Sequence, residues 1–261
     1  MIFDRLYVST TASDAAVVAK SYGLGIEIAE FCTAWNMDDE FIDTDKCLEL
    51  KLKGITKRFL HAPFNELFPC AIDKKARELA MYRYKQAIDL AKHYNATKVI
   101  IHGGYNPHLY YHSWYVEQSI LFWKSFMSEL SCNIQIVLEN TSEEIPELLL
   151  NIVKDVNDSR LRLCLDVGHV NTYSKISPFE WLEACKDYIT HFHLHNNDGS
   201  HDFHNSLDSG SIPMKEFISL SHKLCPEATY TIEMMNAKTS VKWLMDLFEN
   251  KTPTAVGVFF V

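Results

Sequence analysis

Short runs of apolar and β-branched residues recur along this chain, and each is followed by an amphipathic stretch of helix-forming residues. Two of the runs, Val99-Ile100-Ile101 and Ile134-Gln135-Ile136-Val137-Leu138, are apolar on both faces or nearly so. A strand carries such a run when both of its faces are covered, as in a parallel sheet packed under crossover helices. The alternation of strand and helix along the whole chain therefore predicts an α/β architecture.

Eight such units are legible. Strands are predicted at residues 2–9, 24–29, 58–61, 98–102, 134–139, 161–166, 189–195 and 229–233. Helices are predicted at 14–22, 43–53, 74–95, within 112–130, at 143–156, from Pro178, at 214–224 and at 240–249. Proline suits the first helical position because its φ is already helical and its missing N–H has no partner there. A (β/α)₈ TIM barrel takes about 250 residues. Residues 1–261 are thus expected to form a single TIM-barrel domain, with the apolar tail 255–261 packing on the barrel or on a partner subunit.

Charge and cysteine content narrow the class. The 25 basic and 34 acidic residues leave a net charge of −9, which discourages a broad nucleic-acid face. Bound metal ions would add local positive charge that this count omits. The seven cysteines contain no C-x-x-C pair and read as reduced thiols of a cytosolic protein. No apolar stretch approaches the roughly 20 residues of a membrane span, and the first residues lack a signal-peptide pattern. A soluble, cytoplasmic chain with no membrane partner is expected; oligomerisation is left open.

The ends of the predicted strands carry the chemistry. Strand three ends at His61, strand four at His102, strand five at Glu139, strand six at Asp166 with His169 three residues on, and strand eight at Glu233. Strand seven carries His191, His193 and His195, and its loop continues through Asp202-Phe203-His204. Six successive strands thus deliver imidazole or carboxylate to one end. In a barrel that end is the C-terminal mouth, where active sites sit, and these are the donors favoured by zinc, manganese and iron(II). A solvated-loop reading suits Glu66, Asp73 and His108. It suits Glu139, Asp166 and Glu233 poorly, because each terminates an apolar run and a buried carboxylate needs a partner.

The set His61, His102, Glu139, Asp166-x-x-His169, His193, Asp202-x-His204 and Glu233 resembles the endonuclease IV family (AP endonuclease family 2). That family shares the xylose isomerase-like TIM barrel with sugar and sugar-phosphate isomerases and epimerases. The resemblance covers essentially the whole chain. It implies up to three divalent ions, zinc first and manganese as the alternative. One ion would take His61, His102 and Glu139. A second would share Glu139 and add Asp166, His193 and Glu233. A third would take His169, Asp202 and His204. His193 is preferred to His195 because His193-Leu194 matches the family's His-Leu pair; periodicity alone leaves His191, His193 and His195 equivalent.

Two reactions compete. Clustered metals suit phosphoester hydrolysis of a sugar phosphate or of abasic DNA, and the full ligand set favours this expectation. The alternative is metal-dependent isomerisation or epimerisation of a sugar or sugar phosphate, with Glu139 and Glu233 as the acid–base pair. Substrate contacts are expected from Trp35, Phe64, Tyr105 and His195. The loop Glu27-Ile28-Ala29-Glu30 is acidic where a DNA reader would be basic. The amides of Gly103-Gly104 are a candidate phosphate cradle.

Overall fold

The computed structural model describes residues 2–248. Eight parallel strands close into a ring in chain order: β1 (Leu6–Ser9), β2 (Gly25–Ile28), β3 (Arg58–His61), β4 (Lys98–His102), β5 (Gln135–Glu139), β6 (Leu161–Asp166), β7 (Ile189–Leu194) and β8 (Thr229–Ile232). β8 pairs with β1, Tyr230 opposite Leu6, so the sheet has no exposed edge. The predicted (β/α)₈ barrel is the observed fold.

The helices outside the ring are α1 (Ala15–Tyr22), α2 (Phe41–Leu52), α3 (Lys74–His93), α4 (His112–Glu129), α5 (Glu147–Val156), α6 (Val167–Tyr173), α7 (Pro178–Cys185), α8 (Met214–Leu224) and α9 (Lys238–Phe248). α3 and α4 lock together through Tyr84 stacked on Trp123, with ring centroids 5.7 Å apart and both side chains fully buried. Such a pair adds about 1 kcal/mol beyond the area it buries. α7 starts at Pro178 in a capping box, Ser177 and Glu180 satisfying each other's backbone N–H. Among the described residues no helix is long and apolar enough to cross a membrane.

Two separate apolar layers follow from strand periodicity. Outward residues of the strands join the helices in one large core, while Tyr7, Phe59, Ile100, Val137 and Cys164 form a small core inside the ring. Side chains two residues apart share a face. The next inward residues on those same strands are Ser9, His61, His102, Glu139 and Asp166. The inner core is therefore the floor of a polar layer at the mouth.

The structure corrects three expectations. Residues Ile2–Arg5 form a 3₁₀ turn rather than the start of β1. That turn buries Ile2 and lets Arg5 reach the Ala228 carbonyl at 3.1 Å, contacts an extended start would forgo. α5 begins at Glu147 rather than 143, because Glu143 is drawn inward to accept from Tyr115. α6 is a helix beyond the predicted set: its seven residues bury only Val167 and Val170 as an aliphatic pair, too short a pattern to read, and Asp166 caps it. The expected last helix residue, Glu249, and the tail 255–261 lie outside the described residues.

Candidate metal centre

Each ligand-type residue is placed by a strand end or by a cap on one. His61, His102, Glu139 and Asp166 are the last residues of β3, β4, β5 and β6, and Glu233 follows β8 directly. Asp166 is also the N-cap of α6: its Oδ1 accepts the His169 backbone N–H at 2.7 Å. An N-cap side chain bonds to the third helical residue, so the spacing Asp-x-x-His returns His169 to the side of Asp166. Gly168 is required between them, since a Cβ there would lie 1.9 Å from Cε1 of His195.

Three groups form. In the first, His61 Nδ1 donates to the Ala62 carbonyl at 2.9 Å, and its Nε2 lies 3.2 Å from Glu139 Oε2. His102 Nε2 is 3.5 Å from the same oxygen, and Phe64 stacks on the His102 ring at 4.3 Å. In the second, His193 Nδ1 lies 3.3 Å from Glu139, 3.4 Å from Glu233 and 3.8 Å from Asp166. In the third, His169 and His204 each bring Nε2 to 3.2 Å from Asp202 Oδ2. His169 Nδ1 is tied to the Asn140 carbonyl at 2.8 Å and His204 Nδ1 to the Glu233 carbonyl at 3.1 Å.

This arrangement fits divalent cations. A ring nitrogen whose partner nitrogen donates to a carbonyl keeps a lone pair when the imidazole is neutral. Each such nitrogen here faces a carboxylate oxygen, an arrangement that needs a proton or a metal cation between the two. Bonds of about 2.0–2.1 Å to a tetrahedral ion place its ligands about 3.3–3.4 Å apart, close to the 3.2–3.5 Å separations of most of these pairs. His193 Nδ1 and Asp202 Oδ1 are buried without a hydrogen-bond partner. Polar atoms so placed are costly unless something bonds them.

Charge within the side chains alone is uneven. Burial would raise the Glu139 carboxyl, but His193, His102 and His61 around it hold it well below the usual carboxylate range. Glu233 is raised instead, by burial first and then by Glu27 and Glu139, against the pull of His193. Burial opposes a charge on His169, yet Asp166, Asp202 and Glu139 raise it to about 10. His102 is pushed down to about 3 by burial.

The groups floor a cavity of about 460 Å³ whose walls include Thr11, Cys32, Phe64, Thr141, Ser142 and Tyr173. Among the described residues, no lysine or arginine lines it. Of the expected substrate contacts, only Phe64 reaches the cavity. Trp35 is 65% exposed on a 3₁₀ turn away from the lining. Tyr105 is buried behind the wall against Tyr115 and His112. His195 is fully buried: its ring stacks on His204 at 3.7 Å, and its Nε2 lies 3.0 Å from Asp166 and 3.7 Å from Asp202. It joins His169, Asp202 and His204 as a fourth ligand-type neighbour.

Two loop readings also change. The Gly103 amide donates to the Glu139 carbonyl at 2.8 Å, so it is not free to receive a phosphate. The acidic residues read as a loop are paired instead: Glu27 is buried among histidines on β2 itself, and Glu30 just after it meets Lys51 at 2.8 Å. Sequence reasoning also passed over Thr141, Ser142 and Tyr173, which lie in loops or helix ends without periodicity. Glu66, Asp73 and His108 are solvent-exposed, as a loop reading requires.

Comparison with known proteins adds the lineage. Residues 24–251 match the family described as Xylose isomerase-like TIM barrel. The chain belongs to that family. It is 30% identical, over 209 residues, to the uncharacterized protein MJ1311 of Methanocaldococcus jannaschii, spanning 75% of this chain and 70% of that one. A D-tagatose 3-epimerase-like protein superposes with a TM-score of 0.77 at 25% identity, covering 94% of this chain and 97% of the other. The IOLI protein, solved with a bound zinc atom, superposes with a TM-score of 0.74 at 15% identity, covering 96% and 100%; at that identity the likeness speaks for the fold.

Proposed function

We propose that this protein is a divalent-metal-dependent isomerase or epimerase of an unphosphorylated sugar, with Glu139 and Glu233 as its acid–base pair. The observation that carries the reading is the pair itself. Both carboxylates border the cavity, and both lie within 3.4 Å of His193 Nδ1. Two carboxyl groups facing one cavity can take opposite roles, one accepting a proton and one returning it.

His61, His102 and Glu139 would hold one ion, and Glu139, Asp166, His193 and Glu233 a second, with zinc favoured by the imidazole content of the set. A divalent cation there supplies Lewis acidity, polarising carbonyl and hydroxyl oxygens of the sugar. Glu139 takes the proton from the carbon beside the carbonyl. Glu233 returns a proton to that carbon or its neighbour, so no redox partner is consumed. Phe64 walls one side of the cavity, and Thr141, Ser142 and Tyr173 offer hydroxyls to the sugar's own. Walls without lysine or arginine among the described residues suit a neutral sugar better than a phosphorylated one. The epimerase-like protein named above supports this chemistry.

Phosphoester hydrolysis remains the second reading, because the third group, His169, Asp202 and His204 with His195, suits an additional ion. The deciding test is solvent exchange. Zinc- or manganese-loaded enzyme is incubated in deuterium oxide with a panel of ketohexoses. Deuterium at the carbon beside the carbonyl is the expected result. No exchange across the panel, together with incision of an abasic duplex, would overturn the reading in favour of hydrolysis.

A further inference from the structure

Three histidines of the mouth share one device. His61, His169 and His204 each tie Nδ1 to a backbone carbonyl, at 2.9, 2.8 and 3.1 Å, and turn Nε2 inward. His193 is reversed. Its Nδ1 faces Glu139, Asp166 and Glu233, and its Nε2 faces the Glu27 carboxylate, 3.1 Å from Oε1 and 3.3 Å from Oε2. Glu27 is fully buried on β2.

Glu27 is held from several sides. Thr231 donates its hydroxyl to Oε2 at 2.6 Å, and His191 Nε2 lies 3.2 Å from the same oxygen. His191 Nδ1 is 2.7 Å from the Thr229 hydroxyl, which in turn accepts from Lys98 Nζ at 2.8 Å. Contacts thus run from Lys98 through Thr229 and His191 to the Glu27 carboxylate. A carboxylate that only accepts leaves His193 one tautomer, with the proton on Nε2 and the lone pair on Nδ1.

We propose that Glu27 is the positioning residue of the central group, fixing His193 so that Nδ1 is presented to a cation shared with Glu139, Asp166 and Glu233. The inference rests on the metal-centre reading above. A carboxylate behind a metal-binding imidazole orients the ring and strengthens it as a donor, and losing it typically costs about 10- to 100-fold in metal affinity. His61, His169 and His204 lean on backbone carbonyls that no side-chain substitution removes.

The test is a titration of metal-free protein with cobalt(II), followed by visible absorption and by competition with a chromophoric chelator. In Glu27→Gln, one equivalent should weaken about 10- to 100-fold while the others keep their wild-type affinity. Unchanged affinity at every equivalent would overturn the proposal. So would a uniform weakening of all equivalents, which would mark Glu27 as a general structural residue. Failure of the wild-type protein to take up cobalt would instead sink the metal-centre reading. If Glu27→Gln does not fold, Thr231→Val removes the 2.6 Å hydrogen bond while leaving Glu27 ionised. It should weaken the same equivalent by less, and a wild-type titration there would overturn the proposal equally.

Discussion

Asp166 Oδ1 accepts the backbone N–H of His169 at 2.7 Å, so one carboxylate both starts α6 and stands between two candidate metal groups. Its other contacts show the double duty. His193 Nδ1 lies 3.8 Å away on one side and His195 Nε2 3.0 Å away on the other. Helix initiation and metal geometry are therefore coupled at a single residue.

Gly168 lies inside the turn that this cap creates. Glycine to alanine inside a helix ordinarily stabilises by up to about 1 kcal/mol. Here the added Cβ would meet the His195 ring, which His204 blocks from behind at 3.7 Å. Gly168→Ala should therefore destabilise, by about 1–3 kcal/mol as overpacking does. Urea denaturation reads the sign, and a variant more stable than wild type would refute the packing argument.

Glu139 touches all three groups, through Oε2 to His61 and His102 and through Oε1 to His193 and His169. Glu139→Gln should lower turnover by at least about 10²-fold, the lower range for a lost acid–base group. It should also reduce bound metal, read by elemental analysis of the purified variant. Full metal content with full activity would remove Glu139 from the mechanism.

His204 belongs to the third group alone. His204→Ala should lower bound metal by one equivalent where that group is filled, and leave sugar exchange within about tenfold of wild type. Parallel assays of metal content and deuterium exchange check this. Loss of exchange by more than about 10²-fold, the scale of a missing catalytic group, would mean that the third group takes part in the chemistry.

Lys98 predicts a pH signature away from the mouth. Burial lowers its ammonium from 10.5 to about 7, with Cys164 and Glu27 opposing that shift and the Phe59 ring 4.9 Å away. Between those values the unfolded chain binds the extra proton, so the residue's destabilising effect is full below pH 7 and fades as pH rises toward 10.5. Lys98→Met should thus gain stability relative to wild type most at neutral pH. The gain should shrink by about 1 kcal/mol per pH unit from pH 7 to 10. A difference that stays flat across that range in denaturant titrations would show that Lys98 is not so perturbed.

Metal removal tests the centre as a whole. A ligand at 100 times its Kd stabilises by about 2.7 kcal/mol, worth roughly 5–10 °C in Tm for a chain of this size. Chelation should lower Tm by that order and zinc should restore it. A Tm indifferent to both would argue that the mouth holds no ion.

Much of this was legible in the chain alone. Runs such as Val99-Ile100-Ile101 demand cover on both faces, and eight of them with helices between admit few closures other than the barrel. Strand periodicity then places His61, His102, Glu139 and Asp166 one inward step above Phe59, Ile100, Val137 and Cys164. What sequence could not decide was orientation and depth. His191, His193 and His195 share a strand face, and only the packed barrel puts the first beside Glu27, the second among three carboxylates and the third beneath His204. Glu27 read as part of an acidic loop because its partners lie 164 and 204 residues away, at His191 and Thr231. Trp35 and Tyr105 read as cavity aromatics because sequence records residue type, whereas exposure depends on how a loop lies on its neighbours. Residue type and period are local properties of the chain. Which nitrogen a ring presents, and to what, is fixed only when distant strands close around it.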